Sequence, residues 1–333
     1  MKVALLCLRW CQFGGWPTYL SHLREALIAN NINVKIFSIE SPTGAKGCVD
    51  KIKDFSILKK YDLVHICILP TKDKKIYSEI NHRNIVATIH DPTEIKCSAV
   101  RNFVSNKQSL MAIYIRKTML EHNLTKNFEY ATYIPHPYKR YIKKIEIKKR
   151  NKIISTARID YDKNTDIILE ANCGIEIWTG YINRIYDYHK LGGIKNNPYY
   201  MGKFNSVEEI YPQARALVDM SSISGDGGGT QYTFLEAMDY GLTLILNSKW
   251  SHNKFNELIP GKHYIPVSNA NELRSAVDFV KKIKPNDKKY LDILNTHNHK
   301  IIGEQYISLY KKVITKDINI YKNKRGIKGF FND

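Results

Sequence analysis

An α/β protein of two successive, similarly built domains is what this sequence predicts, and three observations predict it. Short apolar runs alternate with stretches of helical spacing along the chain. The alternation restarts at Ile153-Ile154-Ser155-Thr156-Ala157, directly after a basic segment. Glycine-rich turns follow apolar runs in both halves, at Gly14-Gly15 and at Gly225-Asp226-Gly227-Gly228-Gly229-Thr230. A chain of 333 residues, 43% of them hydrophobic, has room for two cores. The expected division is 1–145, 146–300 and a closing segment, 301–333, whose helix crosses back and ends in a basic tail.

Taken in order, Val3 to Leu8 reads as a buried strand and Gln12-Phe13-Gly14-Gly15 as a turn. Trp16, Tyr19, Leu20, Leu23 and Leu27 then follow at helical spacing. Asn30-Asn31 ends that helix, and Val34 to Ile39 is the next strand. Leu63 to Leu69 and Ile85 to Ile89 are further strand runs, the second ending in His90-Asp91-Pro92. The later runs are Gly174 to Trp178, Ala216 to Met220 and Leu242 to Leu246. One long helical pattern, about Asn286 to Val313, closes the chain with Tyr290, Leu294, Ile301, Tyr306, Leu309 and Val313. Parallel sheets bind ligands at the carboxyl ends of their strands, where both Gly14-Gly15 and His90-Asp91 fall.

Composition narrows the compartment and the partners. The six cysteines show neither a CxxC pair nor zinc spacing, so reduced thiols in a cytoplasm are expected. No stretch approaches membrane-spanning length, and Arg9 ends the opening apolar run too early for a signal peptide. A soluble monomer is expected. Net charge is +19, and residues 1–150 hold 26 Lys+Arg against 12 Asp+Glu, including Lys139, Arg140, Lys143, Lys144, Lys148, Lys149 and Arg150. Such a basic half implies a polyanion, either nucleic acid or an anionic membrane surface. The segment Ser109 to Lys126, mixing Leu110, Met111, Ile113 and Tyr114 with Arg116 and Lys117, has the composition of a membrane-docking helix.

The stretch Gly225 to Gly241 carries most of the chemistry. Glycines let the backbone come close to a ligand, and the amides opening the next helix point outward unpaired. Gly227, Gly228, Gly229 and Thr230 can thus hold a diphosphate without a metal. Glu236, inside the helix, is placed to accept hydrogen bonds from ribose hydroxyls. The plainer reading is a flexible loop and a partly exposed glutamate.

In order and spacing, these pieces resemble the retaining glycosyltransferases of family 4. Their architecture, GT-B, sets two Rossmann-like domains facing across a cleft. Gly14-Gly15 with its amphipathic helix looks like their amino-terminal glycine loop. Ser155-Thr156-Ala157-Arg158 with Lys163 resembles their basic pair for the donor diphosphate. Leu235-Glu236-Ala237-Met238 and Gly241 resemble their second-glutamate motif. The first motif glutamate falls at Gly228, a departure that leaves its role absent or otherwise supplied. Tyr232-Thr233 before Glu236, and the strand-end pair His90-Asp91, further resemble the DNA α-glucosyltransferases of T-even phages.

That resemblance implies a phage-encoded, retaining transferase with no cofactor and no metal, acting in the host cytoplasm. Its donor would be a UDP-sugar, held by Gly14, Gly15, Tyr232, Glu236 and the glycine turn. Its acceptor would be a 5-hydroxymethyl- or 5-hydroxypyrimidine in double-stranded DNA, turned out of the stack. Arg158 and Lys163 would neutralise the departing diphosphate, with Asp160-Tyr161-Asp162 between them a solvated spacer. His90 and Asp91 would orient the acceptor hydroxyl, take its proton or stabilise the donor; alternatively Asp91 caps the next segment and His90 is simply packed. The alternative function is a family 4 enzyme of surface polysaccharide or lipopolysaccharide synthesis. A non-enzymatic binding module is disfavoured by the diphosphate and glutamate positions.

Overall fold

β1 (Lys2–Cys7) is buried from Val3 to Cys7, as a strand covered on both faces must be. The computed structural model describes residues 1–8, 15–42, 49–68, 75–105, 111–120, 128–140, 150–222, 230–252, 257–283, 286 and 288–322. In it β1 is central to a seven-stranded parallel sheet. On one side lie β2 (Asn33–Ser38) and β3 (Val49–Lys51). On the other lie β4 (Leu63–Ile66), β5 (Ile85–Ile89), β6 (Met111–Tyr114) and β7 (Ala131–Tyr133). The helices α1 (Gly15–Ile28), α2 (Lys75–Glu79), α3 (Pro92–Lys96) and α4 (Ser98–Ser105) follow β1, β4 and β5. This sheet belongs to a first unit comprising 1–139 and 297–333.

One expectation fails here. Met111 to Tyr114 is a strand with all four residues buried between β5 and β7, followed by a 3-10 turn at Lys117–Leu120. The run is apolar because both faces of the sheet are covered, so these residues offer no helix for membrane docking. Leu110 and Lys126 lie outside the described residues.

The second unit, Arg140–Thr296, repeats the plan. Its strands β8 (Lys152–Ser155), β9 (Ile175–Trp178), β10 (Tyr200–Gly202), β11 (Ala214–Asp219), β12 (Thr243–Asn247) and β13 (Tyr264–Val267) are all parallel. They stand in the order β10-β9-β8-β11-β12-β13, so the order reverses at β8 as it does at β1. The helices are α5 (Thr165–Ala171), α6 (Arg184–Tyr186), α7 (Val207–Ile210), α8 (Tyr232–Asp239), α9 (Ala270–Lys282) and α10 (Leu291–Thr296). α9 shows the local logic well: Leu273, Ala276, Val277 and Val280 are buried, and the Asn269 side chain caps the Glu272 amide.

The closing helical pattern is two helices, not one. α10 stops at Thr296, and α11 (His299–Thr315) starts afresh with Asn298 accepting the Lys300 amide. Between them Tyr138 donates its amide to the His297 carbonyl (2.7 Å) and accepts the His299 amide (3.1 Å). The backbone groups released by the break are thus paired by a distant segment. The units divide at Lys139/Arg140 and Thr296/His297, against 145 and 300 from the sequence.

α11 packs on α1 within the first unit, and two features hold it there. At Gly303 a Cβ would stand 2.5 Å from both the Ala26 carbonyl oxygen and the Asn30 side-chain nitrogen. Gly303→Ala is therefore expected to destabilise the first unit by about 1–3 kcal/mol, because backbone must move to make room. Its unfolding midpoint in a thermal or urea scan should drop while that of the second unit stays. The other feature is a buried polar chain. The Tyr19 hydroxyl bonds Thr88 Oγ1 (2.9 Å) and the Tyr306 hydroxyl (2.8 Å). His65 bonds Thr88 Oγ1 through Nε2 (2.7 Å) and the Tyr310 hydroxyl through Nδ1 (2.6 Å). Burial lowers His65 to about 3, so its ring is neutral, with one donor and one acceptor, and fits that chain.

No helix among the described residues is long and apolar enough to cross a membrane.

Candidate functional site

In the second unit the sheet order reverses between β8 and β11, the place where open α/β sheets bind ligands. Past β8 the chain makes a 3-10 turn at Tyr161–Lys163, its start capped by the Asp160 carboxylate. Asn164 then takes a left-handed conformation (φ 46°) and donates its side-chain amide to the Met220 carbonyl (2.7 Å). That turn brings Lys163 beside the end of β11, where Nζ donates to Ser221 Oγ at 2.9 Å. Ser221 is itself tied, through amide and hydroxyl, to the buried Asp219 carboxylate. The Ser222 amide donates to the Asp162 carbonyl, lacing the two loops together.

Arg158 lies on the same patch. Its guanidinium is 2.9 Å from Asp162 and 3.6 Å from Asp160, and Lys163 Nζ is 3.7 Å from the same Asp162 oxygen. Asp160 and Asp162 are thus not the solvated spacer expected from sequence: Asp162 faces both cations and Asp160 faces Arg158, because the short turn folds them back onto Arg158. Half of the Arg158 side chain remains exposed, while Lys163 is mostly covered.

α8 supplies the third element. Thr230, just ahead of it, is buried and donates to the Glu257 carboxylate at 2.8 Å. Tyr232 opens the helix and is buried, as is Glu236 one turn on. Among the described residues no group bonds the Glu236 carboxyl, and burial alone pushes it up to about 8. The partly exposed glutamate of the plainer reading is therefore not what the helix presents. A buried carboxyl without a partner is costly, and a ligand hydroxyl is the kind of group that relieves it. Gly227, Gly228 and Gly229 lie outside the described residues, as does Gly14 in the first unit. Gly15 is the first residue of α1, and a side chain there would meet nothing within 4 Å, so internal packing does not demand glycine.

In the first unit His90 and Asp91 leave the carboxyl end of β5. The imidazole is buried, with Nε2 2.6 Å from the carbonyl of Cys67, the residue that follows β4. A carbonyl can only accept, so Nε2 carries the proton and Nδ1 keeps its lone pair. Burial lowers His90 to about 4, which leaves the ring neutral at pH 7. Asp91 precedes Pro92, the first residue of α3, and lies 3.9 Å from Arg116. The packed histidine and the helix-start aspartate of the plainer reading are both present, together with an unused acceptor at Nδ1 among the described residues.

Several residues that complete these sites had not been singled out from sequence. Glu94 accepts the His90 amide at 3.1 Å, and burial raises its carboxyl to about 8. The spacing Asp91-Pro92-Thr93-Glu94 is that of a capping box and would have pointed to it. Ser221 and Asp219 carry no such signal. Of the basic cluster, Lys139 pairs with Glu25 (2.7 Å), Arg140 with Asp239 (2.7 Å) and Arg150 is buried, so these three form no free basic face. Lys143, Lys144, Lys148 and Lys149 lie outside the described residues, as do Lys324, Arg325 and Lys328 of the tail.

No family model and no curated protein matches the chain. Solved structures do. An α-glucosyltransferase in complex with UDP and a 13-mer DNA superposes with a TM-score of 0.73 at 14% identity, over 94% of this chain and 100% of that one. The fold is GT-B. Two other GT-B glycosyltransferases are similar in the same way. AviGT4, involved in avilamycin A biosynthesis, gives a TM-score of 0.64 at 13% identity over 95% of this chain and 98% of that one. Anabaena Alr3699/HepE in complex with UDP-glucose gives 0.63 at 13% identity over 95% and 99%. In GT-B terms the two units are its two Rossmann-like domains, each with its own switch point.

Proposed function

We propose that the protein is a retaining, metal-independent glycosyltransferase that moves a sugar from a UDP-sugar to a hydroxylated pyrimidine base in double-stranded DNA. The observation that carries the donor half is the convergence of Arg158 and Lys163 at the β8/β11 switch point, in the unit that also buries Glu236, whose carboxyl has no partner among the described residues. Two cations there neutralise a leaving diphosphate without a metal, and Glu236 accepts from the ribose hydroxyls. The acceptor half rests on the net charge of +19 and on likeness to a transferase solved with both UDP and DNA. The polysaccharide alternative loses its main support, since Met111–Tyr114 is sheet core.

The deciding experiment offers radiolabelled UDP-sugars together with duplex DNA carrying 5-hydroxymethylcytosine, unmodified duplex, or a lipid-linked sugar. Transfer to the modified duplex alone is expected. Affinity for duplex should fall with salt at a log–log slope of about −0.9 per phosphate neutralised. Transfer only to the lipid-linked acceptor would refute the reading.

Glu236 gives a second test. Its carboxyl, raised to about 8, holds a proton at pH 7 in the free protein. Accepting ribose hydroxyls favours the ionised form and lowers that value, so UDP binding should release a proton and tighten as pH rises from 6 towards 8. Glu236→Gln is expected to weaken UDP by about 1–3 kcal/mol and to abolish the proton release. Calorimetry in two buffers of different ionisation heat reads both; unchanged affinity would make this a structural glutamate.

A further inference from the structure

We propose that Trp16 is the platform on which the acceptor base lies beside His90, and so the residue that restricts this enzyme to planar acceptors. This rests on the DNA reading above. Trp16 stands in the first turn of α1, at the carboxyl end of β1, where the strand order turns from β1 to β4. Its neighbours Pro17 and Tyr19 are buried, yet Trp16 is 48% exposed. An indole that only sealed the core would be covered as Tyr19 is. Instead its ring centre lies 6.5 Å from that of His90, tilted by 54°.

His90 itself is immobilised. The Tyr19 ring meets it edge-on at 4.9 Å, and the Cys67 carbonyl holds Nε2. Tyr19 is in turn fixed through its hydroxyl to Thr88 and Tyr306. The imidazole is buried, and its Nδ1 has no hydrogen-bond partner among the described residues. A half-exposed aromatic side chain thus adjoins one fixed hydrogen-bond acceptor that no described residue occupies. That pair of features matches a planar heterocycle bearing a hydroxyl: the ring stacks on Trp16, and the hydroxyl proton points to Nδ1. A base taken out of the duplex loses its stacking neighbours, and an aromatic side chain replaces them.

The test is steady-state transfer to duplex DNA carrying 5-hydroxymethylcytosine by the wild type, Trp16→Ala and Trp16→Tyr. Trp16→Ala is expected to raise KM for DNA about 5- to 100-fold, the usual worth of one base–aromatic stack, with UDP affinity unchanged. Trp16→Tyr should restore most of it. Low-salt binding of unmodified duplex, which phosphate contacts set, should stay as in the wild type and also reports that the first unit is folded. If Trp16→Ala does not fold, Trp16→Leu, apolar but not planar, carries the same expectation. An unchanged KM in the alanine or leucine protein, or a tyrosine protein no better than either, overturns the proposal and leaves the DNA reading standing. A wild type that transfers to a lipid-linked sugar and not to DNA overturns both.

Discussion

Replacing Arg158 with alanine is expected to lower turnover by about two to three powers of ten while leaving the fold intact. The charge that develops on a departing diphosphate has to be met by groups already in position, and Arg158 and Lys163 share one carboxylate, Asp162, at the switch point. The Arg158 ion pairs are half exposed, so their removal costs little stability. Lys163→Ala should lose activity to a similar degree, but it also cuts the tie to Ser221, so the arginine is the cleaner test. A chelator should leave both wild type and variants as they were. Full activity in Arg158→Ala, or loss on chelation with rescue by manganese, would overturn the assignment.

The second large effect is at His90. His90→Ala is expected to cut transfer by about 10²- to 10⁴-fold while sparing UDP affinity and low-salt DNA binding. With its ordinary value lowered to about 4 by burial, the ring does not hold a proton at pH 7, so under the proposed function it would accept and aim the acceptor hydroxyl. The sign of the pH dependence follows. A lowered histidine is neutral from pH 8 down to about its folded value, so no loss centred near 6.5 should appear in the rate profile. An inflection near 6.5 that vanishes in His90→Ala would show instead that the histidine carries the proton.

Much of the fold was legible because buried parallel strands are apolar at nearly every position. β1, β5, β11 and β12 therefore stand out as runs bounded by polar turns. Met111–Tyr114 was misread for a physical reason: four apolar residues next to Arg116 and Lys117 fit a strand or a helix face equally well. The break between α10 and α11 was hidden because apolar spacing runs through it from Tyr290 to Val313. Only the Asn298 cap and the pairing with Tyr138 end the helix there, and the latter is a long-range contact. At the site, Arg158, Lys163 and Glu236 were visible from order and spacing. Their surroundings were not. That Lys163 meets Ser221, that Asp162 serves both cations, and that Glu236 is buried with no partner among the described residues all depend on how loops after different strands come together.

The first unit is discontinuous, and this decides the order in which the chain can fold as it leaves the ribosome. Residues 140–296 form a contiguous stretch and can close as soon as α10 is made. The amino-terminal sheet is synthesised earlier but must wait. Tyr19 and His65 share Thr88 from the start, but their second partners, Tyr306 and Tyr310, come only after α11 emerges, and until then each is one hydrogen bond short in a buried site. The last-made helix is thus the final brace of the first-made sheet. A chain truncated after residue 296 and released from the ribosome should hold a folded second unit together with a protease-sensitive first one.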